Sequence, residues 1–443
     1  MRERTTRCTV IMRVLQSSTR RKGSIAPSGT IPVRRNEVAL RPLKKLLFVF
    51  AVLTLTGCAS PARISSTKDQ QAVATIPEIP NARVWSDDRA DALLARSKSD
   101  VRAVAAGRDG AINVLAISGG GSNGAYGAGL LSGWSERGTR PEFTVVTGAS
   151  AGALIAPFAF LGSTYDPVLK NLFSEAIGEE LLQIDGLSAI FGAGVFKTEP
   201  LKRLVARYVD EPMLARIANE YRKGRRLLIV TTNLDAQRTA VWDMGAIASS
   251  GAPGAVGLFR DVLVASASVP GVYSPVLIYV EGEGRRFEEM HVDGGVRANL
   301  LVVPESLLLS IVPPPSSGVR PRVYILMNNK LEQDFEMVEG MTLAILARSF
   351  TTAVKANTQN TLIATYDFAR RNKWDFNLSS IDPDYPTTTS MGFDKTYMRQ
   401  LFQYGYNQGY QGLPWRKTLP ATYTVPSPPR APARQRSPAS PPS

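Results

Sequence analysis

The chain has 443 residues, enough for one large or two ordinary domains, and its 44% apolar and 20% charged residues are typical of a globular protein. The net charge of +14 is concentrated at the ends: residues 1–45 hold 12 Lys and Arg against 2 acids, and residues 425–443 add 3 Arg. The remainder holds 37 basic and 36 acidic residues, which argues against a nucleic-acid-binding face.

Cysteine and histidine are too scarce for a metal site or a disulfide framework. The chain has only Cys8, Cys58 and His291, whereas structural zinc requires four such ligands. We therefore expect no metal and no cofactor. A mechanism based on a Ser-His-Asp triad would have only His291 to use.

The stretch RPLKKLLFVFAVLTLTGCAS at 41–60 has basic residues, a short apolar run and small residues before Cys58. This pattern resembles a bacterial lipoprotein signal, in which Cys58 becomes the lipidated first residue of the mature protein. We expect residues 1–57 to be a signal peptide behind a misassigned N-terminal extension, and 58–85 to be a tether. Ala59 directly follows this cysteine, and an alanine rather than an aspartate at that position resembles the lipoproteins of the outer membrane. We therefore expect the protein to be anchored in the outer membrane and to face the periplasm.

The rest of the chain alternates short apolar runs with helical patterns. A peripheral helix is predicted over 86–111, and regular strand-helix alternation begins at 112. Such alternation predicts an α/β fold with a central, mostly parallel sheet covered by helices on both faces. Strands are predicted at 112–117, 143–148, 225–234, 239–245 and 322–329. Helices are predicted at 124–138, 151–162 and most of 338–372, and in the stretch 260–276, where Pro270 would end the helix.

These elements predict a catalytic domain over 112–306. A C-terminal region, 307–417, would pack on that domain. The residues 418–443 are rich in Pro, Ser and Arg and predict a disordered tail. With the N-terminal extension, the globular part would then lie between two disordered tails.

A glycine-rich loop, ISGGGSNGAYGAG, follows the first predicted strand. Gly119, Gly121 and Gly124 match the G-x-G-x-x-G pattern of dinucleotide-binding loops, but the same backbone could also hold an ester oxyanion. A dinucleotide site needs an acidic residue about 20 positions further on, at the end of the second strand. The chain has TGASAG there, so the acidic residue that a dinucleotide site needs is missing.

That second strand leads instead into Gly148-Ala-Ser150-Ala-Gly152, which matches G-x-S-x-G between a strand and a helix. This is the context of a nucleophile elbow, where small neighbours allow the tight turn that exposes the serine. Ser150 needs a proton acceptor, and Asp293 stands before Gly294 and Gly295 in another predicted turn. Alone, Asp-Gly-Gly indicates only a turn; with the other two motifs, Asp293 becomes the candidate acid.

Together these motifs resemble the patatin-like phospholipases over roughly 112–306. The resemblance implies a Ser150–Asp293 dyad and an oxyanion loop formed by the amides of Gly119, Gly120 and Gly121, followed by Gly124. It also implies lipid or phospholipid esters as substrates. One departure is Asn123, where patatins usually have Arg or Lys; we expect arginine to be tolerated there because the proposed donors are backbone groups.

A lipoprotein that binds lipids without cleaving them is the alternative. Loss of Ser150 or Asp293 would indicate it, and both residues are present. His291 lies two positions from Asp293 and could be suspected of completing a triad. Its imidazole would then have to lie between Asp293 and Ser150, which would require the side chains of His291 and Asp293 to fold back sharply. We therefore expect a dyad rather than a triad. The sequence indicates neither a headgroup preference nor an oligomeric state.

Overall fold

The computed structural model describes residues 63–89, 91, 111–176, 198–308, 320–340, 342–386, 393–412, 414–420 and 423. Cys58, the expected signal and most of the expected peripheral helix and terminal tails lie outside this part of the chain. None of the helices in the described ranges is both long enough and apolar enough to cross a membrane.

A nine-stranded sheet forms the centre of the fold. Five adjacent strands, in the order β4-β3-β2-β8-β9, are parallel, and β5 and β1 extend the sheet antiparallel beyond β4. β7 also pairs antiparallel with the end of β4, and β6 pairs with β7. The strands are β1 (Arg83–Trp85), β2 (Asn113–Ile117), β3 (Val145–Ala149), β4 (Arg226–Asn233), β5 (Arg238–Asp243), β6 (Val276–Gly282), β7 (Arg285–Asp293), β8 (Arg322–Lys330) and β9 (Asp375–Ile381).

Helices flank this sheet, which confirms the predicted α/β class. Along β2, Leu115 and Ile117 pack into one apolar core while Val114 and Ala116 pack into another, as expected for a strand buried on both faces. The helices are α1 (Lys68–Ala72), α2 (Gly124–Glu136), α3 (Ala151–Leu161), α4 (Asp166–Asn171), α5 (Glu199–Tyr208), α6 (Glu211–Arg222), α7 (Met244–Ser249), α8 (Ala255–Ser266), α9 (Thr342–Arg371) and α10 (Lys395–Gln411).

Glycines bring α2 and α10 into direct backbone contact. A Cβ atom on Gly129 or Gly133 would lie 2.0 Å from a carbonyl oxygen of α10, and one on Gly405 or Gly409 would lie 2.2 Å from a carbonyl oxygen of α2. Glycine lowers helix propensity. Here it is required because any side chain would push the two helices apart.

The segment before the first predicted strand is not the tether that we expected over 58–85. Its described part, from residue 63, forms α1 and β1, and β1 pairs antiparallel with β5 at the edge of the sheet. Ile76, Ile79 and Trp85 are buried in the main core. These apolar residues give the segment a surface to bury, which the Ser-, Thr- and Pro-rich stretch before them lacks.

The C-terminal region completes the sheet instead of packing on a finished domain. β8 pairs with β2 and β9 pairs with β8, so both strands belong to the parallel core. The expected tail also begins later than residue 418, since Leu419 is buried and the Tyr423 hydroxyl donates to the Leu331 carbonyl at 2.6 Å. The helix expected in the stretch 260–276 lies at 255–266, and β6 starts at Val276.

Candidate active site

Ser150 occupies a strained turn between β3 and α3. Its φ of 54° and ψ of −126° are unusual for a residue with a side chain, and such strain costs about 1–3 kcal/mol. The flanking glycines make the turn possible. A Cβ on Gly148 would lie 2.4 Å from the Gly152 carbonyl oxygen, and a Cβ on Gly152 would lie 2.4 Å from the Ile117 carbonyl oxygen. This geometry is that of a nucleophile elbow.

A buried serine on α8 supports the turn. The Ser150 amide donates to Ser266 Oγ at 3.0 Å, and the Ser266 hydroxyl donates to the Val230 carbonyl at 2.6 Å. Ser266 is fully buried. We expected no role for this residue, because nothing local in the sequence indicates that its hydroxyl reaches a turn 116 residues away.

Asp293 ends β7 and lies beside Ser150. Its Oδ1 accepts the Gly295 amide at 2.6 Å. The Ser150 hydroxyl is close enough to lower the pKa of the carboxyl group by hydrogen bonding, although no hydrogen bond of regular geometry reaches the buried Oδ2 from the described residues. Burial has the larger, opposite effect and raises the pKa of Asp293 from 3.8 to about 7.

The turn after Asp293 also requires its two glycines. A Cβ on Gly294 would lie 2.6 Å from the Val230 carbonyl oxygen, and a Cβ on Gly295 would lie 2.9 Å from Asp293 Oδ1. Glycine at position 294 therefore lets the turn lie close to β4, and glycine at position 295 lets it lie close to the Asp293 carboxylate.

His291 makes no hydrogen bond to Ser150 or Asp293 through its ring nitrogens. Its Nδ1 lies 2.9 Å from Thr231 Oγ1 and its Nε2 lies 3.0 Å from Glu289 Oε2. Since Glu289 is ionised, with its pKa held at about 2, Nε2 carries the proton and Nδ1 accepts from Thr231. Thr231 in turn accepts from Trp242 Nε1 at 2.7 Å. Both ring nitrogens are occupied, which leaves no nitrogen for Ser150 or Asp293.

The glycine-rich loop places Gly119 against the nucleophile, because a Cβ there would lie 2.8 Å from Ser150 Cβ. Its amide is not the free oxyanion donor that we expected. It already donates to Asn299 Oδ1 at 3.1 Å. Among the described residues, no acceptor contacts the amides of Gly120 and Gly121, whereas the Gly124 amide bonds within the loop. The available donors are therefore Gly120 and Gly121, the latter at a φ of 56°.

Three asparagines hold the loop. Asn299 Nδ2 donates to Thr358 Oγ1 on α9 at 3.1 Å, so the amide that accepts from Gly119 is itself fixed. Asn328 Nδ2 donates to the Ser118 carbonyl at 2.8 Å, and Asn329 Nδ2 donates to the Gly119 carbonyl at 3.0 Å. Asn299 lies six positions after Asp293, and the other two lie at the end of β8.

Asn123 is buried and hydrogen-bonded on both sides, which argues against the tolerance of arginine that we expected there. The side chain is only 8% exposed; its Oδ1 accepts from the Tyr397 hydroxyl at 2.9 Å and its Nδ2 donates to Asn329 Oδ1 at 3.3 Å. An arginine would break both bonds and bring a charge into the contact with α10. Desolvating an unpaired charge is costly, so these surroundings favour a short amide.

One of the comparisons with known proteins, that with family models, agrees with this geometry at the level of family. No curated protein matches the chain significantly. Among solved structures, VipD from Legionella pneumophila is similar, with 12% identity over 68% of this chain and 67% of VipD and a TM-score of 0.34. The family model for patatin-like phospholipases matches residues 115–305, a range that contains the loop, the elbow and Asp293. The chain therefore contains a domain of the patatin-like phospholipase family.

Proposed function

We propose that this protein is a serine acyl hydrolase that cleaves carboxylic esters of lipids or phospholipids with Ser150 as nucleophile and Asp293 as base. The observation that carries the proposal is the pairing of a strained, glycine-flanked serine with a buried carboxylate whose pKa is about 7. A general base works best when its pKa lies near the working pH. An ordinary aspartate would be too weak a base for a serine hydroxyl.

The reaction proceeds in two half-reactions. Asp293 takes the proton as Ser150 Oγ attacks the ester carbonyl, and the amides of Gly120 and Gly121 stabilise the oxyanion. Collapse of the tetrahedral intermediate breaks the ester bond, and Asp293 gives its proton to the leaving alcohol. Water, deprotonated by Asp293, then attacks the acyl-serine; collapse of this second intermediate returns the proton to Ser150 and releases the fatty acid.

A small apolar cavity lies on one face of α3. Leu154, one helical turn after Ser150, is part of its lining, and the other residues are almost all apolar. The lining consists of Leu154, Pro157, Phe158, Leu172, Leu204, Val205, Tyr208, Val209 and Leu263.

Hydrolysis of a lipid panel tests the proposal. We expect the wild-type protein to release fatty acid from at least one diacyl or lysophospholipid, and Ser150→Ala to release none above background. Equal release by the two proteins would refute the role of Ser150. Circular dichroism and urea unfolding of Ser150→Ala serve as the control that the variant is folded.

The pKa of Asp293 predicts how the rate depends on pH. The base must be ionised, and burial raises its pKa to about 7. We therefore expect kcat/KM to fall about tenfold for each pH unit below 7 and to level off above it. A soluble ester assayed from pH 5 to pH 9 provides the measurement. A rate that stays constant down to pH 5 would show that Asp293 is not the base.

We also propose that the mature protein is attached to the outer membrane through lipidated Cys58 and faces the periplasm. Four residues separate Cys58 from Arg63, where the described folded body begins. Arg63 is fixed there by an ion pair with Asp235 at 2.8 Å. Mass spectrometry of the mature N-terminus tests this attachment, since an unmodified Cys58 would rule it out.

A further inference from the structure

A group of large apolar side chains is exposed where β8 leaves the sheet. Phe335 is 90% exposed and Met337 is 82% exposed. Soluble proteins expose single apolar residues, but a group of them usually marks an interaction surface. We call this group the apolar rim; it consists of Phe335, Met337, Val338, Ile345 and Leu346.

Ion pairs connect the rim segment to α9. Glu336 pairs with Arg348 at 2.9 Å and Asp334 pairs with Lys355 at 3.2 Å, both partners being on α9. These acids alternate with Phe335 and Met337 along the chain. The acidic side chains pair with α9, whereas the apolar side chains between and after them are exposed.

The rim lies at the edge of the sheet that carries the active site. β8 runs parallel to β2, so both strands end at the same edge. Gln359 of α9 donates to the Leu331 carbonyl at 3.0 Å, which ties the start of the rim loop to the helix. The neighbouring Thr358 bonds to Asn299, which holds the loop beside Ser150.

We propose that the apolar rim inserts into a lipid surface with neutral headgroups and delivers the active site to its substrate. The inference rests on the proposed function, because a lipid ester is presented at such a surface. The charges favour neutral lipid over anionic lipid: between residues 330 and 355 there are four acids, Glu332, Asp334, Glu336 and Glu339, and three bases, Lys330, Arg348 and Lys355. A surface without excess positive charge gains nothing from anionic headgroups.

Vesicle flotation tests binding separately from catalysis. The mature chain, residues 59–443 with Ser150→Ala, carries neither the signal segment nor a lipid and cannot hydrolyse the vesicles. It is mixed with phosphatidylcholine vesicles at about 0.15 M salt, which screens attraction by the basic residues near the C-terminus. We expect the protein to float with the vesicles, and the further changes Phe335→Ser and Met337→Ser to reduce the bound fraction about tenfold or more.

Tyr410→Ser is the matched control. Tyr410 is 53% exposed, but it lies near Gly133, at the end of α2 opposite the glycine-rich loop. Removing this exposed aromatic ring should leave flotation unchanged. A parent chain that does not float, or a rim variant that floats as well as the parent, would overturn the proposal.

Turnover separates this inference from the proposed function. With Ser150 present, the ratio of vesicle hydrolysis to hydrolysis of a soluble short-chain ester should fall about tenfold in the rim variant. An unchanged ratio would overturn docking while leaving the hydrolase intact. Failure of the unaltered protein to hydrolyse either substrate would instead refute the proposed function.

Discussion

Replacing Asp293 by asparagine is expected to lower kcat/KM on a lipid ester by about 10³-fold or more, as far as Ser150→Ala does. The amide cannot accept the Ser150 proton, and its NH₂ group can donate where a carboxylate would accept. The rest of the site should survive, because the Gly295 amide can still donate to the side-chain oxygen at position 293. Steady-state kinetics on purified variants give the measurement.

His291→Ala is the control for this prediction. The imidazole bonds to Thr231 and Glu289 and to neither member of the dyad. We expect the folded variant to keep activity within about tenfold of wild type, with any deficit arising from packing. If His291→Ala were as inactive as Ser150→Ala while folded, and Asp293→Asn stayed active, the dyad assignment would be wrong.

Replacing Arg83 by methionine is expected to reduce the free energy of unfolding by about 3–5 kcal/mol at neutral pH. Arg83 makes a bidentate ion pair with Glu289, and neither side chain is more than 5% exposed. Burial by itself would raise the pKa of Glu289, but the hydrogen bonds from His291 and Arg83 hold it at about 2. Without Arg83, the buried carboxylate loses its compensating charge.

The sign of the pH dependence follows from this loss. In the wild type, the depressed pKa of Glu289 contributes stability that is present above pH 4.5 and is lost as the pH falls towards 2. In Arg83→Met, the buried Glu289–His291 pair becomes neutral when either residue binds a proton, which happens as the pH falls. The deficit should therefore be larger at pH 8 than at pH 5, as measured by urea unfolding at both values.

Arg238→Met provides the matched control. Both arginines lie over the Trp85 ring, Arg83 at 4.5 Å and Arg238 at 4.8 Å from its centroid. Arg238 also pairs with carboxylates, those of Asp87 and Asp88. Its side chain is 29% exposed, however, and ion pairs of this kind contribute about 1 kcal/mol or less. Equal losses in the two variants would show that burial of the Arg83 pair is not what matters.

The sequence by itself determined the parts of the site that depend on neighbouring residues. The turn at Ser150 needs glycine two positions before and two after it, and Asp293 is followed by two glycines whose Cβ atoms would collide with the backbone or the carboxylate. Short motifs record such local steric demands. Alternation of apolar runs with helical patterns likewise predicted the parallel core, because each strand and each helix has its own periodicity.

Only the tertiary structure decided which groups meet over long separations. The Gly119 amide donates to Asn299, which lies 180 positions further along the chain, and Arg83 pairs with Glu289, 206 positions further along. Because the sequence does not indicate these partners, we expected an oxyanion donor at Gly119 and a tether at Arg83. The direction of the His291 ring is likewise set by Thr231 on another strand. Hydrogen-bond partners of buried polar groups depend on which chain segments pack together, and packing leaves no local pattern in the sequence.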